Sequence, residues 1–261
     1  MLFIIVQSPQ PDLYHSRCCA TFGGQLTCRC KDSPSAGIPV SICRNVWIEA
    51  SPLTAKTAYH HGDLRNALLD AADKVLQTQG LQGFTLRACA RAAGVSHTAP
   101  KHHFGDVRGL LRALAERGFQ RLVERLRMEL SLAGAQLEAQ MFATAKAYVE
   151  FAQTYPEHFR IMFRSDLIGF DMQDPPDPVL QTFAELTNVI LRQRGDAPIA
   201  VQDVIAEKPP ALVNDIVLGW CHVHGYAHLA LEGQLTMVPE DDQLAQLKLS
   251  TQRLSQLIQG L

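Results

Sequence analysis

The run TLRACARAAGVSHTAPKHHF, from Thr85 to Phe104, admits few folds. Small and apolar residues recur at helical spacing around Gly94-Val95, so it reads as two short helices broken by a glycine turn. Thr85 suits an N-cap, because its hydroxyl can accept from a free amide of the first turn. Leu86, Cys89, Ala90 and Ala93 then make a face of small residues that a second helix can cross closely. Gly94 stands where a helix needs a left-handed residue to stop, and Val95 plugs the corner. Ser96 is the next expected N-cap, with the second helix running from His97 to about Phe104. Pro100 falls in or just after its first turn, where few backbone bonds are lost.

Two short helices about such a turn make a helix-turn-helix. In that motif the start of the second helix faces base edges and flanking cations grip phosphates. His97, Thr98 and Lys101 are the candidates for the groove. Thr85, with the first amides of its helix, is a candidate for a phosphate. Arg87, Ser96, His102, His103 and Arg108 complete the candidate DNA-binding set. The competing reading is a buried helical hairpin with a solvated basic edge.

The stretch from Tyr59 to about Arg121 resembles the DNA-binding domain of the TetR/AcrR family of bacterial transcriptional regulators. The matching pieces are a first helix (Leu64 to Gln79), the Gly80 stop, Phe84-Thr85, Ala90, AAGVS (Ala92 to Ser96), HHF (His102 to Phe104) and Leu110-Leu111. The lead-in YHHGDLR (Tyr59 to Arg65) and a later Trp220, His224, Gly225 are similar to a subgroup with a C-terminal Trp–His–Gly signature. Two positions depart from the family: Lys101 stands where an aromatic is usual, and Val107 stands where a lysine is common, with Arg108 beside it. The resemblance implies a homodimer on a palindromic double-stranded DNA operator, acting as a repressor that a small-molecule effector releases.

Charge is divided along the chain in the way such a protein needs. Residues 55–127 carry 12 Lys+Arg against 6 Asp+Glu, and residues 128–261 carry 8 against 17. A basic module followed by an acidic one suits a DNA-binding head on a body that avoids DNA. The N-terminal segment is different again. Five of the seven cysteines fall there (Cys18, Cys19, Cys28, Cys30 and Cys43) in no common zinc spacing. Residues 1–56 are expected to be a disordered extension or sequence ahead of the true start. Residues 57–121 are expected to form the head and 122–261 the body.

In the first helix Leu64, Ala67, Leu68, Ala71, Ala72, Val75 and Leu76 make a wide apolar stripe, with Asp63 as its cap. A long helix, about Arg108 to Leu132, joins head to body and presents Leu110, Leu111, Leu114, Leu122 and Leu126. The next helix, about Ala135 to Tyr155, and a short one after Pro156 bring Phe142, Tyr148, Phe159, Met162 and Phe163 together. With Trp220 and His224 these are the candidate effector pocket. Residue by residue, core packing is the stronger reading, and the family resemblance is what favours a pocket. Residues 164–178 read as a loop, followed by a helix from Val179 to Arg194.

The helix from Ala211 to Leu231 is apolar all round, so it should be covered on two sides. Asn214, Asp215, His222, His224 and His228 argue against a membrane span. The last helix, about Asp242 to Gln259, carries Leu244, Leu247, Thr251, Leu254 and Ile258 at coiled-coil spacing. Trp220, Val223, Leu244, Leu247, Leu254 and Ile258 are therefore the candidate dimer interface. His224, His228 and Glu232 share a face as metal ligands can, but helix-interface packing explains them, and no metal or cofactor is expected.

The expectation is an all-α, ligand-responsive regulator, cytoplasmic and not an enzyme, since no nucleophile–base pair or phosphate loop is visible. The alternative is a helical protein-binding adaptor of the same fold that has lost operator binding.

Overall fold

The structure, a computed structural model, describes residues 64–171 and 174–260 together with two short strands. The chain divides into the units Met1–Lys56 and Thr57–Leu261. In the first, β1 (Ala20–Phe22) and β2 (Gln25–Thr27) pair antiparallel, with Thr21 opposite Leu26. The remaining expectations for residues 1–56, and the cap expected of Asp63, lie outside the described residues.

The second unit is entirely helical among the described residues. The first helix, α1 (Leu64–Gln79), buries Leu68, Leu69, Ala71, Ala72, Val75 and Leu76, and also the carboxylate of Asp73. Leu64 and Ala67, expected on the same stripe, are only half-buried. Helix α2 (Leu86–Ala93) starts at Thr85, whose Oγ1 accepts from the Ala88 amide at 3.0 Å. It stops at Gly94, which takes φ 67°. There the Gly94 amide donates to the Arg91 carbonyl and the Val95 amide to the Ala90 carbonyl, 3.2 and 3.1 Å away. These two bonds satisfy the carbonyls that the helix end leaves free, in a form that requires a left-handed residue.

Helix α3 (Ala99–Phe104) begins two residues later than expected, and Ser96 does not cap it. The reason is Pro100. In a helix beginning at His97, residue 100 would have to donate to the Ser96 carbonyl, and proline has no N–H to give. Starting at Ala99 puts Pro100 at the second helical position, where its amide would be unpaired anyway. The Ser96 carbonyl instead receives the Ala99 amide at 3.1 Å, and Ser96 Oγ lies 3.1 Å from Thr98 Oγ1.

Helix α4 (Val107–Ala133) opens on Asp106, whose carboxylate accepts from the Gly109 amide at 2.8 Å. It is continuous across the expected head–body boundary at residue 121. Its apolar stripe of Leu110, Leu111, Leu114, Leu122 and Leu126 is buried throughout, at 4 % exposure or less. Helices α1 to α3 pack on its first half. Along the rest of it stand α5 (Leu137–Thr154), α6 (Pro156–Met162) and α8 (Asp177–Arg194), while α7 (Ser165–Ile168) reaches back to its first turns. Helix α7 occupies a stretch expected to be loop. Its end is held by α4: Arg112 donates to the carbonyls of Ile168 and Gly169 at 2.9 and 2.7 Å. A four-residue helix fixed by a side chain 56 positions away leaves no local mark in the sequence.

Helices α9 (Pro210–Leu231) and α10 (Gln243–Gln259) close the body against α5 and α8. On α10 the heptad-like stripe faces inward. Leu247, Thr251 and Leu254 are buried in the protomer's own core, Ile258 is half-buried there, and Leu244 is exposed. Val223 of α9 is buried in the same way. These three buried apolar residues were expected at a subunit seam. The same spacing serves any helix with one covered face, and here α5 and α8 provide the cover.

The start of α4 makes one strict demand on side-chain size. A Cβ at Gly109 would lie 2.0 Å from the backbone oxygen of Phe104. Backbone cannot move aside as a side-chain tip can, so α3 and α4 would have to separate. Gly109→Ala should therefore destabilise the unit by about 1–3 kcal/mol, despite the better helix propensity of alanine. Urea unfolding followed by circular dichroism measures it.

Candidate nucleic-acid interface and effector cavity

Helix α3 turns Pro100 and Phe104 toward α1, α2 and α4, with Pro100 buried and Phe104 half-buried beneath the Arg65 guanidinium, 5.0 Å from the ring centroid. At 100° per residue, that anchor fixes what faces outward. His102 lies on the far side, with Lys101 and His103 flanking it symmetrically at about 80° from the anchor, and His97 and Thr98 stand in the preceding turn; all five are exposed. The His103 ring lies 6.3 Å from that of Phe104. Thr85, Arg87 and Ser96 are exposed too. Thr85 uses its oxygen lone pair on its own helix, which leaves the hydroxyl proton free to donate. Arg108 departs from its expected role as a free phosphate ligand: its Nη2 donates to the Asp166 carbonyl at 3.1 Å, so its guanidinium is tied to the body.

Head and body meet over a buried polar cluster. Asp73 of α1 accepts from Arg121 of α4 at 2.7 Å and from Gln77 at 2.7 Å, and His158 of α6 lies 3.5 Å from it. Arg117 bridges to Asp70 at 2.6 Å and approaches Asp73 at 3.7 Å. Arg121 also lies over the Tyr155 ring, 4.8 Å from its centroid. His158 is fully buried. Burial pushes its pKa down, the Asp73 carboxylate opposes this, and Arg121 and Arg117 add to the fall, so the imidazole is neutral. This cluster had no signature in the sequence, because its members come from three separate helices.

In the body, most of the residues expected to line an effector pocket form a solid aromatic stack. The rings of Tyr148 and Phe159 meet edge-on at 5.7 Å, those of Phe159 and Phe163 at 5.6 Å, and those of Phe163 and His224 at 4.7 Å. Tyr148 Oη lies 2.8 Å from His224 Nδ1. Burial pushes the Tyr148 phenol well above its ordinary range, so it keeps its proton, which can be given to His224. Met162 packs into the same core, and Phe142 lies apart beneath Lys248 at 5.8 Å. Tyr148, Phe159, Met162, Phe163 and His224 thus fill space rather than bound it.

The cavity lies on the other side of Trp220, the one expected pocket residue that lines it. It measures about 50 Å³ and is bounded by α5, α8, α9 and α10, with the exposed Trp220 at its edge. Phe183, Leu186 and Ile190 of α8 form one wall, with Met141 and Ile216 across from them. The α8 residues were missed because the sequence reading sought aromatic clusters, whereas this wall is mostly aliphatic. The lining contains no Asp, Glu, Lys or Arg.

Residues 68–114 match the tetR family of bacterial regulatory proteins, and residues 141–251 match the tetracyclin repressor-like C-terminal domain. The chain belongs to the TetR family. Its fold recurs in solved TetR proteins and in a protein of unknown function. The latter, from Rhodococcus sp. RHA1, is 31 % identical over 76 % of this chain and 98 % of its own, with a TM-score of 0.58. A TetR-family transcriptional regulator from Streptomyces coelicolor is 19 % identical over 76 % and 98 %, with a TM-score of 0.50. A TetR variant from Acinetobacter baumannii AYE, solved in complex with minocycline, is 19 % identical over 72 % and 92 %, also at 0.50. No curated protein matches the chain. As a TetR protein it is a transcriptional regulator with a helix-turn-helix head and a larger helical body, in a family of DNA-binding regulators rather than enzymes. No helix among the described residues is long and apolar enough to cross a membrane. Among those residues no group of three or more His, Cys, Asp or Glu is placed to hold a metal, and Glu232 bonds Arg160 at 2.9 Å.

The aromatic stack makes stability depend on pH. Burial, with a smaller push from His228, lowers the His224 pKa from 6.5 to about 4. Between those values the unfolded chain binds a proton here that the folded chain refuses, so stability is full above pH 6.5 and declines as pH falls toward 4. His224→Asn supplies an acceptor in place of Nδ1 but does not titrate. Its thermal midpoint should fall less steeply between pH 6.5 and 4 than that of the unaltered protein, as differential scanning fluorimetry across buffers would measure.

Proposed function

We propose that this TetR protein is a ligand-responsive repressor that binds a palindromic operator as a homodimer. The observation that carries the reading is the outward arc of α3. Five polar or basic side chains, His97, Thr98, Lys101, His102 and His103, stand exposed on α3 and the turn before it, with Pro100 and Phe104 pinning the opposite side of the helix. Such an arc fits a major groove, with Thr85, Arg87 and Ser96 positioned toward phosphates. Arg108 is a poorer candidate than the sequence suggested, because the Asp166 carbonyl holds its guanidinium.

A second copy of the chain is the natural cover for α9. Opposite its buried Val223 and Ala227, at 100° per residue, run Leu218, Cys221, Gly225 and Leu229. Leu218 and Leu229 are exposed, and nothing lies within 4 Å of a Cβ built on Gly225. On α10 the exposed Leu249 and Leu257 extend the apolar surface. Two copies of α9 and α10 would form a four-helix interface on this face rather than on the buried stripe through Val223, Leu247 and Leu254. A dimer presents two α3 helices to successive major grooves roughly 34–36 Å apart. An effector that enters the cavity preferentially in one arrangement of the body shifts the population toward it and changes that spacing.

Two experiments test this. Lys101→Ala should weaken binding to the promoter fragment upstream of the protein's own gene while leaving the dimer intact. The slope of log affinity against log salt should fall by about 2, because one cation per subunit no longer displaces counterions from the duplex. Unchanged affinity and slope by fluorescence anisotropy would remove α3 as the DNA-contacting helix, and salt-insensitive binding would favour the adaptor reading. Leu218→Glu should shift the protein to monomer in sedimentation velocity and abolish operator binding. A dimer that persists would move the interface off this face of α9.

A further inference from the structure

The cavity behind Trp220 has a chemistry specific enough to name the class of molecule it takes. Three observations converge. The first is its charge: fifteen residues line it and none is Asp, Glu, Lys or Arg. Its single titratable group is His222, whose pKa is lowered by burial, which makes it a neutral imidazole. An ion placed here would lose its hydration and meet no counter-charge.

The second is the state of its hydroxyls. Thr144 Oγ1 donates to the Gln140 carbonyl at 2.8 Å, and Thr251 Oγ1 to the Leu247 carbonyl at 2.9 Å. Their protons are committed to their own helices. Thr187 differs. It is 4 % exposed, it lines the cavity, and its hydroxyl has no hydrogen-bond partner among the described residues. Buried hydroxyls are normally bonded, and helical threonines usually reach a carbonyl one turn back, as Thr144 and Thr182 do here. Thr187 makes no such bond, so its proton and lone pairs are available to water or to a polar group that enters the cavity.

The third is size. At about 50 Å³ the cavity is well below the roughly 300–1,000 Å³ of ligand pockets. A ligand has to part α8 from α9, where Ile190 Cδ1 already lies 3.0 Å from where a Cβ on Gly219 would be. The walls that move are aliphatic or aromatic, which favours a slender apolar skeleton.

We propose that the cavity binds an uncharged, predominantly apolar molecule bearing one hydroxyl or carbonyl group, and that Thr187 is the residue that recognises this group. The assignment rests on the effector reading above for its biological meaning, but not for its test.

Four probes share one skeleton: butylbenzene, 4-phenylbutanol, 4-phenylbutyrate and 4-phenylbutylammonium. Binding to the full chain is read from Trp220 fluorescence in a Trp47→Phe background. The alcohol should bind most tightly and the hydrocarbon next, with both ions at least about tenfold weaker than the alcohol. Thr187→Val keeps the shape and removes the hydroxyl. It should weaken 4-phenylbutanol by about three- to tenfold, the worth of one hydrogen bond, and leave butylbenzene unchanged. Thr187→Ser should restore the preference, which also controls for a fold defect. The proposal is overturned if either ion binds as tightly as the alcohol, if no probe binds, or if the alcohol keeps its advantage in Thr187→Val. Operator affinity measured with bound 4-phenylbutanol tests the effector reading separately. Binding without release would refute that reading and leave the ligand class standing, whereas release driven by an ion would do the reverse.

Discussion

One apolar stripe on α4 belongs to two cores at once. Leu110, Leu111 and Leu114 close the head over Leu69, Ala72, Leu76, Phe84 and Cys89, and Leu122 and Leu126 close the body beneath α5 and α6. These residues form a single continuous hydrophobic cluster, which runs past the polar group of Asp73, Arg121 and His158. Each buried leucine is worth about 1.5–3 kcal/mol relative to exposure. A head parted from α4 would lose several of them together. The helix-turn-helix is therefore held by α4 and is not an independently anchored module.

Polar contacts at the junction serve a different purpose. Asp73, Arg121 and His158 are largely withdrawn from water, and the desolvation of such groups offsets much of their attraction. Their contribution to net stability is accordingly small, but their geometry is exacting, because any partner left alone in this environment is penalised. The cluster fixes where α6 sits on α1, and Arg112 fixes where α7 sits on α4. Phe159, beside His158 on α6, faces the aromatic stack that reaches Trp220 through Phe163. The cavity wall and the first helix of the head are thus connected by packed side chains.

Much of the fold was legible because it is local. Thr85, Gly94 and the small residues of α2 specify their turn without outside help, and the apolar stripes of α1, α4 and α10 can be read directly. Pro100 misled only until its missing donor was counted at the right position. What the sequence could not carry was direction. The stripe on α10 says that one face is covered, but it cannot say whether by α5 or by a second subunit, since both coverings ask for the same leucines. Aromatic residues misled in a related way: Tyr148, Phe159 and Phe163 are large enough to fill the space they enclose, while the open volume lies among aliphatic residues of α8 that carry no compositional signal. Arg108 looked free because the carbonyl that holds it is 58 residues away.

The unbroken course of α4 has a mechanical consequence. A helix of 27 residues behaves as a rod of roughly 40 Å. Arg108 and Arg112 tie its head end to α7, so helix and α7 tilt together: a swing of about 5° about the opposite end carries that tip through roughly 3.5 Å, close to the spacing of successive base pairs along a duplex. A change in side-chain packing too slight to alter the outline of the body is enough to put the tip out of step with the groove.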